Sequence, residues 1–282
     1  MNTMHLFSGA GGGLLADLIL GHNPIIAVEW DKYACQVLRD RAADGWFPDL
    51  SVWEGDVRLF DPSEYAGRVG CIHAGFPCQD ISAAGKGVGI AGSRSGLFIE
   101  VMRAIDAVQP RFVFLENSPR IRTRGRHVVI GELVARGYAW RDGILAASDV
   151  GAGHQRDRWF CLAANADGLR ELESQGGKQK FWGRPDNCAQ EATEANTVRP
   201  GCANSGRIAA AQTCAKVRSS PDLVPGQRSG TGNASWFEAE PDVGCLVYGL
   251  ADDVVPGAVK ALGNGQVPIQ AAAAWMMLGG PK

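Results

Sequence analysis

Met4-His5-Leu6-Phe7-Ser8-Gly9-Ala10-Gly11-Gly12-Gly13, continued by Leu14-Leu15-Ala16-Asp17-Leu18-Ile19-Leu20, reads as a strand, a glycine turn and a helix. The first run, residues 4–8, is mostly apolar. Over residues 13–20 apolar side chains recur three and four apart, as on the inward face of a helix. The turn between them lacks side chains, so a ligand can approach its backbone amides and the N-terminus of the helix that follows. Several nucleotide-binding classes and plain tight turns share this pattern, which therefore speaks to fold class before it speaks to ligand.

The alternation continues outward. Further strands are expected over residues 25–29, 51–54, 69–74, 112–116, 143–147 and 158–162, and helices over residues 32–43, 97–108 and 127–135. Repeated βα units of this kind build a doubly wound α/β domain around a mainly parallel sheet. After Asn165 the content of Gly, Ser, Asn, Gln and Pro rises, and neither helical nor strand periodicity holds until about residue 241. The expected domains are residues 1–165, the sheet domain; 166–256, a smaller irregular domain, with a partly disordered insertion as the competing reading; and 257–282, a segment that returns to the sheet domain through a turn at Gly263-Asn264-Gly265 and a helix over residues 269–278.

The chain has 282 residues, 45% hydrophobic and 21% charged, enough for one sizeable core and a smaller appended domain. Apolar stretches are too short to cross a bilayer, and no secretory-signal pattern precedes the first strand; a cytoplasmic monomer without a membrane role is expected. Its eight cysteines fall at irregular intervals without a CxxC pair, so neither disulfides nor a metal is expected. A net charge of −2 gives no global sign of nucleic-acid binding. Locally, Arg120, Arg122, Arg124 and Arg126 alternate along one segment, and Arg156 and Arg158 follow; this is either a solvated face or a phosphate track.

Candidate ligand-binding residues sit at strand ends. Glu29 closes the second strand about twenty residues after the glycine turn, where an acid takes the ribose hydroxyls of a nucleoside cofactor. Trp30 is placed to stack on adenine, and Asp56 with Val57 follows the third strand as a further acceptor. Helix N-capping competes for Glu29 and Asp56, and core packing for Trp30. The fourth strand ends in Gly75-Phe76-Pro77-Cys78-Gln79-Asp80-Ile81-Ser82. Pro77 stops the strand, and Cys78 opens a Gly- and Ser-rich loop over residues 83–96 that suits a nucleophilic thiol better than a buried one. The next strand ends in Glu116-Asn117-Ser118, which puts a carboxyl group on the same rim.

In their order and spacing these motifs resemble those of the cytosine-5 DNA methyltransferases of bacteria and phages, over the first 165 residues and again near residue 264. FSGAGG resembles that family's cofactor loop, VEWD its ribose and adenine reader, GFPCQDIS its nucleophile motif, LENS its acid motif, GHQRDRWF its twin-arginine motif and LGNGQVP its closing motif. The chain departs from the family pattern at Ser118, usually Val, at His154, commonly Gln, and at Gln266, usually small or apolar.

The resemblance implies the S-adenosylmethionine-dependent methyltransferase fold, a target-recognition domain over residues 166–256, and duplex DNA as partner. It implies S-adenosylmethionine held by Phe7, Ser8, Gly9, Ala10, Gly11, Gly12, Glu29, Trp30, Asp56, Val57, Pro77, Leu97 and Asn264. It implies catalysis by Cys78 as nucleophile on cytosine C6, Glu116 as acid at N3, Arg158 on the base O2 and Arg156 fixing the loop or a phosphate. Lys86 and Arg94 would lie near phosphates. An RNA cytosine-5 methyltransferase is the nearest alternative; a dinucleotide oxidoreductase leaves the Pro77-Cys78-Gln79 and twin-arginine motifs unexplained, and intact Cys78 and Glu116 speak against a silent DNA-binding protein.

Overall fold

Strands β1 (Asn2–Leu6), β2 (Asn23–Glu29), β3 (Ser51–Glu54), β4 (Cys71–Gly75), β5 (Phe112–Asn117), β6 (Ala139–Leu145) and β7 (Arg158–Ala164) are joined in one sheet. The structure is a computed structural model that describes residues 1–77, 96–174 and 265–281. The strand order is β3-β2-β1-β4-β5-β7-β6. From β3 to β5 all neighbours are parallel, while β7 runs antiparallel to both β5 and β6. The order reverses between β1 and β4, the switch point at which open α/β sheets bind ligands beyond the carboxyl ends of their strands.

Helices cover both faces: α1 (Gly12–Leu20), α2 (Lys32–Ala43), α3 (Gly96–Val108), α4 (Ile121–Arg124), α5 (Arg126–Ala135), α6 (Ala166–Ser174) and α7 (Pro268–Met277). The period of two along β5 shows how the sequence builds this sandwich. Val113 and Leu115 enter one core with Ile72, Ile105 and Leu133, whereas Phe112 and Phe114 enter the other with Phe160, Leu162 and Trp275. Two apolar faces explain why the central strands read as continuous hydrophobic runs. Helix α2 starts where it does because the Asp31 carboxylate accepts the Tyr33 and Ala34 amides, and α1 stops at Gly21, which takes the left-handed conformation.

Most sequence-predicted elements are present within a few residues. The sixth strand, expected over residues 143–147, runs from Ala139 to Leu145. Its Arg141-Asp142-Gly143 centre looks like a break, yet Asp142 is paired inside with Arg126 and accepts from the Trp159 indole at 2.6 Å. The change of composition at Asn165 marks a helix cap: its side-chain oxygen accepts from the Asp167 and Gly168 amides. Helix α6 then lies on the sheet, with Gly168 against the Arg111 carbonyl and Leu172 buried beside Phe112, so the packed unit continues to Ser174. The rest of the expected second domain, from residue 175, lies outside the described residues. At the far end of the chain, α7 returns to α1 and inserts Trp275 edge-on against Phe112 and Phe114.

Among the described residues no helix is long and apolar enough to cross a membrane. Cys35, Cys71 and Cys161 are free thiols buried in the cores.

Candidate active site

The carboxyl ends of the parallel strands and the start of antiparallel β7 meet on one rim. On the β1–β2 side, the turn after β1 departs from ordinary backbone: Phe7 has φ 57°, a left-handed conformation that a side chain adopts at a cost of about 1–3 kcal/mol. Gly9 follows with φ 54°. Ser8 Oγ donates to the carbonyls of His5 and Val28, tying the turn to β2. Glu29 fixes it from the other side. One carboxylate oxygen accepts the Gly9 amide at 2.8 Å; the other accepts the Trp30 and Asp31 amides at 3.0 and 2.9 Å. These three amides leave the carboxylate acceptor capacity for a hydroxyl. Trp30, 75% exposed, is not core. A side chain at Gly9 would meet nothing within 4 Å, so the turn is open there.

The other glycines have a different task. A Cβ at Gly12 would collide with the Gln266 carbonyl, and one at Gly13 would lie 2.8 Å from both Gln266 Oε1 and His73 Cε1. Gly11, also positive in φ, backs onto Leu38. Gly11 to Gly13 therefore admit protein, and Gly9 faces open space beside Ala10. Farther along the rim, Asp56 caps a short 3-10 turn at Val57–Leu59 and pairs with Arg58, which holds its carboxyl below the usual range. Val57 is buried and Leu97 packs against the same core.

On the β4–β5 side, Gly75 stands opposite Glu116 in the register of the strand pair. Asn117 Nδ2 donates to the Phe76 carbonyl at 2.9 Å, which pins the strand end just before Pro77. Cys78, next in the chain, lies outside the described residues, as do Asn264, Lys86 and Arg94. Glu116 is largely enclosed. Its Oε1 sits 2.8 Å from Arg158 Nε, and Gln266 Nε2 donates to its Oε2 at 3.5 Å. Burial pushes the Glu116 carboxyl up more than Arg158, Gln266 and Arg156 pull it down.

The twin arginines divide their roles. Arg158 faces the acid, whereas Arg156 Nη2 donates to the Gly265 carbonyl at 2.7 Å and thereby clamps the closing segment. Gln270 reinforces the clamp by donating to the Leu145 and Arg156 carbonyls. The four alternating arginines also separate: Arg126 pairs with buried Asp142 and lies 4.7 Å over the Trp140 ring, while Arg120, Arg122 and Arg124 are exposed. A small cleft lined by Phe7, Ser8, Gly75, Glu116, Gly265 and Gln266 joins the glycine turn to the acid.

Beneath that cleft lies a group that sequence reading missed. Thr3, His5, Asp17, His22 and His73 are buried between the sheet and α1, where apolar residues are the rule. Asp17 Oδ2 accepts from Thr3 Oγ1 at 2.5 Å and lies 2.6 Å from His5 Nε2. His22 Nδ1 is 3.5 Å from Oδ1. Burial pushes the Asp17 carboxyl up, but the attraction of His5 and the hydrogen bonds of His22 and His5 outweigh it and hold the group well below the carboxylate range. His73, tilted against His5 at 4.7 Å, is driven by burial down to about 3 and is neutral. His5, Asp17 and His73 bring potential metal ligands within 4.8 Å of one another. The 2.6 Å contact is nonetheless a hydrogen-bond length, shorter than the spacing of two ligands on one tetrahedral zinc at about 2.0–2.1 Å. His5 and His73 alternate with apolar neighbours along their strands, which was the available signal.

Residues 1–200 match the profile of the family described as C-5 cytosine-specific DNA methylase. The chain belongs to that family. Among curated methylases of this kind, it is 36% identical over 167 residues to the Type II methyltransferase M.CviJI of Paramecium bursaria Chlorella virus IL3A, covering 58% of this chain and 43% of that one. It is 35% identical over 164 residues to M.NgoBI of Neisseria gonorrhoeae, covering 57% and 49%, and 30% identical over 171 residues to M.HhaI of Haemophilus parahaemolyticus, covering 59% and 50%. The chain thus spans about half the length of these methylases. The crystal structure of S. pombe Dnmt2 methyltransferase shares the fold at a TM-score of 0.50 with 17% identity, over 72% of this chain and 58% of that one. The doubly wound α/β fold expected from the strand and helix pattern, and the methyltransferase fold that the family resemblance implied, are the ones found.

Proposed function

We propose that this methylase acts on duplex DNA, flipping a cytosine from the stack and methylating its C5 with S-adenosylmethionine as donor. The observation that carries this reading is the enclosed Glu116–Arg158 pair at the strand ends, with Glu116 in register with Gly75 on the neighbouring strand that leads through Pro77 towards Cys78 in the sequence. The open turn at Gly9, the spare acceptor capacity of Glu29 and the exposed indole of Trp30 suit a nucleoside cofactor. S-Adenosylmethionine, when bound by the turn, Glu29 and Trp30, supplies an electrophilic methyl group.

Cytosine C5 is a weak nucleophile until C6 acquires a substituent. The Cys78 thiolate forms a bond to C6, which shifts the C5–C6 π pair to C4–C5 and the C4–N3 π pair onto N3. Glu116, kept protonatable by burial, gives its proton to N3 as that charge develops and takes it back when C5 is alkylated and C4=N3 re-forms, while Arg158 holds O2 and stabilises the carboxylate that forms in between. After C5 has been alkylated, loss of its proton returns an electron pair to the C5–C6 bond and expels Cys78. Because C5 and C6 are hidden in a duplex, the nucleotide must leave the stack, at a cost of a few kcal/mol. Residues 175–256, with Arg184, Arg199, Arg207, Arg218 and Arg228, are proposed as the part that reads sequence and phosphates.

A duplex carrying 5-fluorocytosine tests this directly, because fluorine cannot leave C5 as a proton and the thioether persists. With S-adenosylmethionine present, a covalent complex should form on Cys78 and be lost in Cys78→Ser. Cys71→Ser should retain it, since Cys71 is buried in the core and burial holds its thiol well above the ordinary value. An adduct on another cysteine, or transfer to RNA in preference to DNA, would overturn the proposal.

A further inference from the structure

We propose that Gln266 is a positioning residue for Glu116: its side-chain amide, oriented from behind by the buried imidazole of His73, presents an N–H to the carboxyl oxygen Oε2 and holds the acid in place. This rests on the reading of Glu116 as the acid at N3. The geometry stands on three observations. Gln266 Nε2 lies 3.5 Å from Glu116 Oε2, on the side of the carboxyl opposite the Arg158 contact. Gln266 Oε1 and His73 Nε2 are both buried without another hydrogen-bond partner among the described residues, and the amide oxygen and the imidazole edge both lie 2.8 Å from where a Cβ on Gly13 would be, so the two groups are neighbours. The space for this amide is made by Gly13 and Gly75, where a Cβ would lie 2.8 Å from Oε1 and 2.9 Å from Nε2 respectively. A chain of polar groups therefore runs from Asp17 through His5, His73 and Gln266 to Glu116.

The orientation matters because an amide has two faces. With Nε2 towards Glu116 it favours the carboxylate; with Oε1 there it would favour the protonated acid. Neutral His73 can donate from Nε2 to Oε1, and that contact selects the first orientation. Other charged groups facing Glu116 are Arg158 and Arg156, and behind His73 stand His5, His22 and Asp17.

The test is a titration of the free protein by carbon-13 NMR of glutamate carboxyl groups, with Glu116 assigned by its absence in Glu116→Gln. In Gln266→Met, which keeps the length and loses the donor, the Glu116 midpoint should rise by at least about half a pH unit, a threefold gain in proton affinity. His73→Phe should also raise it, although it removes no charge near neutral pH, because the freed amide turns its oxygen to the acid. In the wild type, the Gln266 side-chain N–H resonances should titrate with the Glu116 midpoint. Midpoints that stay put in whichever variants fold, or Gln266 N–H signals indifferent to Glu116, would overturn the proposal. No DNA or donor is involved, so a failure here is distinct from a failure to methylate.

Discussion

At the residue scale, the buried histidines make a claim on pH. His73 has an ordinary value of 6.5 and is held near 3 in the fold by burial, so between those values the unfolded chain takes up a proton that the folded protein refuses. Stability from this group is complete above 6.5 and is lost as pH falls towards 3. Asp17 adds to the same acid-side loss, since its depressed carboxyl stabilises the fold only while ionised. Urea midpoints measured from pH 7 to 4 should fall for the wild type, and His73→Phe should flatten that slope by about one proton. An unchanged slope would mean that His73 is protonated in place.

At the scale of elements, two glycines should respond to alanine with opposite signs. In Gly12→Ala the new methyl group meets the Gln266 carbonyl at the start of α1, and the closing segment must shift; a destabilisation of about 1–3 kcal/mol is expected, as for other overpacked sites. Gly131 lies exposed in α5 with nothing near its Cβ position, so Gly131→Ala should stabilise by roughly 0.5–1 kcal/mol through helix propensity. Thermal unfolding of the two variants side by side decides both.

These elements also show what could be read from sequence. Helix α2 and strand β3 begin and end as the spacing predicts, because their caps and periods are local. The fit failed in β6, where Asp142 has its partners at Arg126 and Trp159, and in the task given to Gly12 and Gly13, which is set by Gln266 at the other end of the chain. Glu116 and Glu29 were legible because they stand at strand ends; the chain from Asp17 to Gln266 was not, because its links join residues far apart in sequence.

At the scale of the whole molecule, the proposed reader of DNA sequence is inserted between α6 and α7, both of which pack on the sheet. Exchanging residues 175–256 with the corresponding segment of a related methylase should therefore transfer sequence preference and leave the sheet domain intact. Bisulfite sequencing of DNA from cells carrying the exchange is the measurement; a folded chimera that keeps its original preference would place the reader elsewhere.

The position of α7 carries one more consequence. Phe112, Phe114 and Phe160 are roofed by a helix that the ribosome makes only after the whole insert has emerged. Until then the growing chain carries an uncovered aromatic face, and the closing segment that Arg156 grips beside the acid is still unmade. Maturation of the site thus waits until α7 has been made, which makes the nascent protein a natural client for chaperones that shield apolar surface.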